Sequence, residues 1–149
     1  MKPGFRLSIC LAMAVCLLAG GAAAQQAEEF DDYVVHYNAL MTDMIPPQSA
    51  QAYGIERSAS RALINITVLR KLLDNPGQSV EASIELEARN LTGQHRKIEL
   101  QEVNDQGAIY YLGTLRVRNR ETFDFTAQIT PEGAEEPLEL KFRQEFFTE

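Results

Sequence analysis

Apolar and polar side chains alternate without interruption in one stretch of the chain, Val80-Glu81-Ala82-Ser83-Ile84-Glu85-Leu86-Glu87-Ala88-Arg89. Successive side chains of a β-strand point to opposite faces, so the apolar residues of this stretch share one face and the glutamates share the other. A helix would instead spread the same residues around its circumference. The stretch therefore predicts a half-buried strand.

Six further runs carry a strand pattern, at residues 33–37, 62–72, 97–103, 109–117, 122–130 and 138–147. The run 62–72 is apolar at both odd and even positions, which favours a central strand buried on both faces, although a short helix could produce the same pattern. In the run 109–117, Tyr111 shares its face with Ile109, Leu115 and Val117. We therefore expect Tyr111 in the core and its neighbour Tyr110 on the opposite face.

Turn-forming residues separate these runs, at positions 74–77, 90–93, 104–107 and 131–133. One segment breaks the strand pattern. Residues 46–54 have proline at the start and Gly54 at the end, which predicts a short helix.

Seven strands and one short helix after the first predict an all-β fold, an immunoglobulin-like antiparallel β-sandwich. A small closed barrel is the alternative. Residues 25–149 contain no cysteine and no tryptophan, so the core of antibody domains cannot form. We expect large side chains to fill that space instead, namely Phe123, Phe125, Phe142 and Tyr111.

Residues 1–24 have the order of a bacterial secretory signal peptide. Lys2 and Arg6 precede an apolar run, and Ala22-Ala23-Ala24 ends the segment. We predict cleavage after Ala24, which would leave residues 25–149 as one periplasmic domain. A permanent membrane anchor is the alternative, since the uncharged run is long enough to approach a bilayer span.

Cleavage would also remove both cysteines, Cys10 and Cys16, and with them disulfides and thiol chemistry. The full chain carries a net charge of −7. Loss of Lys2 and Arg6 would change it to −9, because 12 basic residues would then face 21 acidic ones. Nucleic acid and anionic membrane surfaces are therefore not expected as partners.

The segments at residues 32–38, 52–58, 61–68, 90–94 and 109–113 stand out in the exported part. Together they resemble a family of proteobacterial exported proteins that is classed only as a domain of unknown function. The resemblance covers essentially all of residues 25–149. It implies a periplasmic β-sandwich and brings no activity, cofactor or catalytic residue.

Metal and cofactor chemistry find little support in the sequence. His36 and His95 are the two histidines, they lie far apart, and a metal site usually needs three or four ligands. The acidic residues between positions 28 and 32 lack the glycine and spacing of a calcium loop, so we interpret them as a solvated tail. No cofactor and no metal site are predicted.

Four residues are candidates for a contact with a ligand or partner. Arg57 and Arg61 could grip a carboxylate, a phosphate or an acidic sugar, or they could pair with nearby acids to anchor the helix. Tyr110 and Arg116 could lie on an exposed face that contacts a protein or glycan, or Tyr110 could belong to a cross-strand packing pair.

The predicted function is that of a non-catalytic binding or accessory domain, which contacts another periplasmic or envelope protein through a sheet edge or exposed face. A carrier of a small ligand or glycan, with Arg57 and Arg61 as anion anchors, is the alternative. A hydrolase or metalloenzyme is the least favoured reading, because no catalytic motif is recognisable. Stable membrane insertion is not expected after cleavage.

Overall fold

The computed structural model describes residues 26–73 and 75–149. The predicted signal peptide, its cleavage after Ala24, and both cysteines lie outside these residues. The described part forms ten strands and two short helical segments, which are β1 (Gln26–Glu29), β2 (Tyr33–Met41), a 3-10 helix (Thr42–Met44), α1 (Pro47–Ala52), β3 (Arg61–Leu72), β4 (Asn75–Ser79), β5 (Ala82–Asn90), β6 (His95–Ile98), β7 (Gln101–Asp105), β8 (Ala108–Arg116), β9 (Glu121–Pro131) and β10 (Leu138–Phe146).

The strands form two antiparallel sheets. The first sheet has the order β1-β2-β3-β8-β7, with β4 paired to the far end of β3, and the second has the order β10-β9-β5-β6. In immunoglobulin-like terms, β2-β3-β8-β7 are strands A, B, E and D, and β10-β9-β5-β6 are strands G, F, C and C′. The predicted immunoglobulin-like β-sandwich is thus confirmed, and the closed barrel is not what the chain forms.

Aromatic side chains fill the space between the two sheets. Phe123 and Phe125 are almost fully buried. Phe125 stacks on Phe142 with ring centroids 4.7 Å apart, and Tyr37 reaches across from the first sheet to within 4.6 Å of the Phe142 ring. These contacts, together with buried Tyr111, confirm the aromatic core that the sequence predicts.

Strand β3 is buried on both faces as far as Val68, as its apolar pattern predicts, but Arg70, Lys71 and Leu72 at its end are exposed, where burial was also expected. The even-numbered residues from Ala62 to Val68 join the main core, whereas Leu63 points outward into a second cluster with Ile45, Ala50 and Leu112. Helix α1 supplies Ala50 to this cluster and so covers the outer face of the first sheet. The short helix predicted over 46–54 is confirmed, and Gly54 follows it with φ of +67°.

Three details of the predicted strand pattern are wrong, and the described residues form ten strands instead of seven. The run 97–103 is two strands, because the chain crosses between the sheets at Glu99 and Leu100. Strand β4 begins at Asn75, inside the turn predicted at 74–77. Residues Gln26–Glu29 pair with β2 as strand β1, where a solvated tail was expected, because main-chain hydrogen bonds order a segment whose acidic side chains are exposed.

The turns predicted after β5, β7 and β9 are confirmed as hairpin connections. Each contains a glycine with positive φ: Gly93 at +87°, Gly107 at +88° and Gly133 at +83°. No helix within residues 26–73 and 75–149 has the length and apolar character needed to cross a bilayer.

Candidate functional site: a notch at the edge of the second sheet

Strand β6 is shorter than the strand it pairs with. On one side of β5, strand β9 pairs with every residue from Ala82 to Asn90. On the other side, β6 pairs with Leu86–Arg89 and ends at Ile98. The first half of β5, residues 82–85, therefore has a neighbouring strand on one side and an open edge on the other.

The hydrogen-bonding pattern shows which main-chain groups face the open edge. The amide of Asn90 donates to the Gln94 carbonyl on the β6 side at 3.1 Å, whereas the Glu81 carbonyl accepts from Glu132 on the β9 side at 2.8 Å. Because these directions alternate along an antiparallel strand, the even-numbered residues of β5 point toward β6 and the open edge. The N–H and C=O of Ile84 therefore face the edge, and no partner for them exists within the described part of the chain.

Tyr111 closes one end of this opening. Its hydroxyl accepts a hydrogen bond from the Ala82 amide at 2.8 Å and donates one to Oε2 of Glu102 at 3.2 Å. One side chain of β8 thereby connects β5 in the second sheet with β7 in the first. Burial raises the pKa of Tyr111, and the nearby Glu102 carboxylate raises it further, so the hydroxyl is protonated at neutral pH.

A cavity of about 510 Å³ lies along this open edge, and we call it the edge notch. Its floor is apolar and its rim is mostly acidic, with three carboxylates and one ammonium group. The notch is lined by Ala82, Ile84, Glu85, Lys97, Ile98, Glu99, Leu100, Glu102 and Tyr111. The arrangement combines unpaired strand groups, apolar surface and net negative charge.

Gly113 of β8 allows the chain to cross between the sheets at this point. A Cβ atom on Gly113 would lie 2.6 Å from Cγ2 of Ile98, 2.8 Å from Cδ2 of Leu100 and 3.0 Å from the Glu99 carbonyl oxygen. The crossover therefore packs directly on the glycine backbone. The close approach lies directly beyond the end of β6 at Ile98, and Glu99 and Leu100 line the notch there.

A family model described as a domain of unknown function, DUF4426, matches residues 27–149. The chain belongs to the DUF4426 family. A solved structure of a DUF4426 protein from Pseudomonas aeruginosa PAO1 is similar over 83% of this chain and 94% of that chain, with 33% sequence identity and a TM-score of 0.71. The resemblance to a family of unknown function is thus confirmed.

The fold of this DUF4426 domain also resembles FetP of uropathogenic Escherichia coli strain F11, recombinantly expressed in the periplasm of E. coli. The identity is 11% and the TM-score 0.59, with 83% of this chain and 94% of FetP covered. A copper-bound variant of FetP matches with 11% identity and a TM-score of 0.58, over 83% of this chain and 95% of that chain. These similarities show a shared fold. No curated protein matches the sequence significantly.

The predicted arginine pair of the DUF4426 domain is divided between two local structures. Arg57 donates from Nε to the Ile45 carbonyl at 2.8 Å and from Nη2 to the Asp43 carbonyl at 2.7 Å. Arg61 lies 3.4 Å from the Glu56 carboxylate. Both contacts anchor the segment between β2 and β3. This is the structural role that the sequence analysis gave as the alternative to binding an anion. The role in ligand binding stays a prediction.

The other two candidates lie on the outer face of the first sheet. Arg116 is exposed and is the register partner of Arg61 in the ladder between β3 and β8, so the two arginines lie opposite each other on neighbouring strands. Tyr110 is on the face opposite Tyr111, as expected. It is half-buried against the cluster beneath α1 and is not fully exposed, because α1 covers this part of the sheet.

The two histidines of the DUF4426 domain lie in different sheets. His36 pairs with Thr67 in the first sheet, and His95 pairs with Arg89 in the second. Within residues 26–73 and 75–149, no three His, Cys, Asp or Glu side chains are grouped so that they could hold a metal ion.

Sequence reasoning missed the edge notch. Ile84, Glu99 and Glu102 carry no motif, and the first belongs to a strand that looks uniform along its length. The site lies where β6 ends and where the crossover packs on Gly113, a residue distant in sequence. The alternation of apolar and polar residues along β5 does not predict the contact between the crossover and Gly113.

Proposed function

We propose that this protein is a non-catalytic binding domain of the periplasm, and that its edge notch receives an extended, basic segment of a partner protein. The observation that carries the proposal is the open half of β5, where the N–H and C=O of Ile84 face an acidic cavity. The periplasmic location follows from the predicted signal peptide.

The main-chain groups of Ile84 suit the addition of a strand. An exposed sheet edge can accept an extended segment through N–H to C=O hydrogen bonds, with side-chain pockets supplying specificity. If β6 continued beyond Ile98, Glu99 and Leu100 would pair with the open half of β5. Both residues have instead left the second sheet. A partner strand entering here would continue the pairing that β6 begins.

The charges at the notch favour a basic partner. Glu85, Glu99 and Glu102 line it together with a single lysine, Lys97. Opposite charges across an interface accelerate association and exclude partners of the wrong sign. The apolar floor, with Ile84, Leu100 and Tyr111, would receive every second side chain of the segment.

A peptide titration tests this proposal. The protein, expressed from its full sequence and labelled with ¹⁵N, is titrated with a seven-residue peptide of alternating Lys and Val and with its Glu/Val counterpart. We expect saturable shifts at Ile84 and Tyr111 with the basic peptide, an affinity at least about tenfold higher than for the acidic one, and weaker binding at high salt.

Two pairs of variants separate main-chain from charge effects. Ile84→Pro removes an N–H that the β5–β9 ladder does not use, and Ile84→Val keeps it. Glu99→Lys reverses a notch charge, and Glu145→Lys makes the same charge change on β10, at the opposite edge of the second sheet. The first member of each pair is expected to lose binding and the second to retain it. Equal binding by all four variants, or shifts confined to other surfaces, would contradict the proposal.

A further inference from the structure

The space beside the first half of β5 is closed at one end by β6 itself. Strand β6 lies on the same side of β5, pairs with Leu86–Arg89 and ends at Ile98, where the chain crosses to the first sheet. A partner strand beside residues 82–85 would therefore be collinear with β6 and could not run past it. Such a strand must begin, end or bend sharply at the end of β6.

Tyr111 limits the same space at its other end. Its hydroxyl already accepts the hydrogen bond of the Ala82 amide at 2.8 Å. Of the β5 amides that face the open edge, the amide of Ile84 is therefore the one left for a partner. Residues 82–85 span about 14 Å at about 3.4 Å per residue, so the segment that pairs here is three or four residues long.

A strand can enter this space in two directions, and the two directions place opposite chain ends beside β6. Strand β6 runs antiparallel to β5. A partner strand in the same direction as β6 would have its amino end beside Ile98, whereas a strand parallel to β5 would have its carboxyl end there. In the antiparallel direction, one partner residue exchanges both of its main-chain hydrogen bonds with Ile84.

The charges beside the end of β6 select between these directions. Glu85 precedes Leu86, the last residue of β5 that β6 covers, and Glu99 follows Ile98, so two exposed carboxylates flank this point. Lys97 is the single cation among the described residues that line the notch. An α-ammonium group is attracted by such a pair of carboxylates, and an α-carboxylate group is repelled.

We propose that the edge notch captures the free amino terminus of a partner protein, with the first residue beside the end of β6 and the chain running antiparallel to β5. The inference rests on the proposed function and names the part of the partner that the notch receives. The second residue of the partner would pair with Ile84 and place an apolar side chain on the floor beside Leu100. The first residue has its side chain on the opposite face, where a basic group would lie near Glu85.

Peptide titrations of the ¹⁵N-labelled full chain test the inference. The probe is the amide of Lys-Val-Lys-Val-Lys-Val-Lys with a free amino terminus. Acetylation removes the terminal charge, and a Ser-Gly-Ser extension moves this charge three residues away. We expect about tenfold weaker binding of both modified peptides, because hydrogen bonds to a charged group are lost. Replacement of the last lysine by glutamine removes one charge at the far end and should change the affinity by less than about twofold.

Two double variants locate the charge effect on the protein. Glu85→Gln with Glu99→Gln removes both carboxylates at the end of β6. The preference for the free over the acetylated terminus should then fall from about tenfold to less than about threefold. Glu135→Gln with Glu136→Gln makes the same charge change in the loop between β9 and β10, outside the notch, and should preserve the preference.

A nitroxide amino acid at the last residue of the free-terminus peptide reports the strand direction. In the antiparallel direction, the amide signals of Glu81 and Ala82 should broaden more than those of Leu86 and Lys97. Peptide binding in which the free, acetylated and extended forms have equal affinity, or in which the broadening is stronger at Leu86, would overturn the inference and leave the proposed function in place. Failure of every peptide to bind would overturn both.

Discussion

The hydroxyl oxygen of Tyr111 lies 2.8 Å from the backbone nitrogen of Ala82, and this hydrogen bond joins the two sheets at the edge notch. The bond uses the first amide of β5 that faces the open edge and leaves the next one, that of Ile84, without a partner in the described structure. Tyr111 thus limits the open edge to a short stretch. The contact also holds the first half of β5 against β7 and β8 where no strand lies beside it.

Replacing Tyr111 with phenylalanine should destabilise the fold. The change leaves the Ala82 amide and the Glu102 carboxylate without their shared partner, and we expect the free energy of unfolding to fall by about 1–2 kcal/mol. Urea denaturation measures the change. Tyr110→Phe is the matched control, since the Tyr110 hydroxyl makes no hydrogen bond within the described residues. Equal losses in the two variants would show that the hydroxyl of Tyr111 contributes nothing specific.

Gly113→Ala should distort the crossover that shapes the edge notch. The added methyl group would lie within 3 Å of Ile98 and Leu100, and overpacking of this kind costs about 1–3 kcal/mol. We expect a lower melting temperature, together with amide shifts at Glu99 and Leu100. Thr114→Ala, at the next position of β8, should cause neither effect. A Gly113→Ala protein with unchanged stability and spectra would disprove the close packing at this point.

Arg57 should act as an anchor of the segment between β2 and β3. Removal of its bonds to the Ile45 and Asp43 carbonyls in Arg57→Ala is expected to cost about 1 kcal/mol, because the group is exposed and partly hydrated. Amide hydrogen exchange should accelerate across residues 42–60. Arg116→Ala, which removes an exposed guanidinium at the end of β8, should leave this exchange unchanged. Unaltered exchange in Arg57→Ala would favour the alternative that Arg57 serves a ligand.

Acid should weaken the ion pair between Asp124 and Arg143. Hydrogen bonds from Arg143 at 2.6 and 2.9 Å lower the pKa of Asp124 below its ordinary value. Because the pKa is lower in the folded state, the pair stabilises the protein above the unfolded pKa of about 3.9, and the contribution is lost as the pH falls through the folded value.

The measurement is the free energy of unfolding between about pH 5 and pH 2. Asp124→Asn should show a shallower decline than the unmodified protein, and added salt should reduce the difference since both groups are exposed. Glu145→Gln, an exposed carboxylate on β10 outside the ion pairs, serves as the control. Identical acid profiles for Asp124→Asn and the unmodified protein would contradict the prediction.

Most of the fold could be predicted because its signals are local. The alternation through residues 80–89 corresponds to β5, and the apolar residues at both parities of β3 fit its two covered faces. The strand count was less predictable. Ile98 and Leu100 share a parity, so one strand and two strands separated by a crossover have the same local pattern. Strand β1 is held by main-chain hydrogen bonds to β2. Because its acidic side chains are exposed, the sequence has no apolar alternation that would predict this strand.

The candidate sites depend on contacts between distant parts of the chain. Arg57 was identified as a candidate from its residue type, yet its partners are carbonyl groups, which every residue has and no motif marks. Asn65 belongs to a strand pattern that does not predict the cavity it lines beneath α1. Three features from distant parts of the sequence meet at the edge notch. They are the end of β6, the packing of the crossover on Gly113, and the hydrogen bond of the Tyr111 hydroxyl.

Hydrogen exchange at the Ile84 amide tests the central claim most directly. In the free protein, this amide should exchange at least about tenfold faster than those of Glu85, which faces β9, and Leu86, which faces β6. Saturation with the Lys/Val peptide should slow Ile84 selectively, since a new strand would then bond to it. Protection of Ile84 equal to that of Leu86 in the free protein, or no change on addition of the peptide, would contradict the proposal that β5 presents an open edge to a partner.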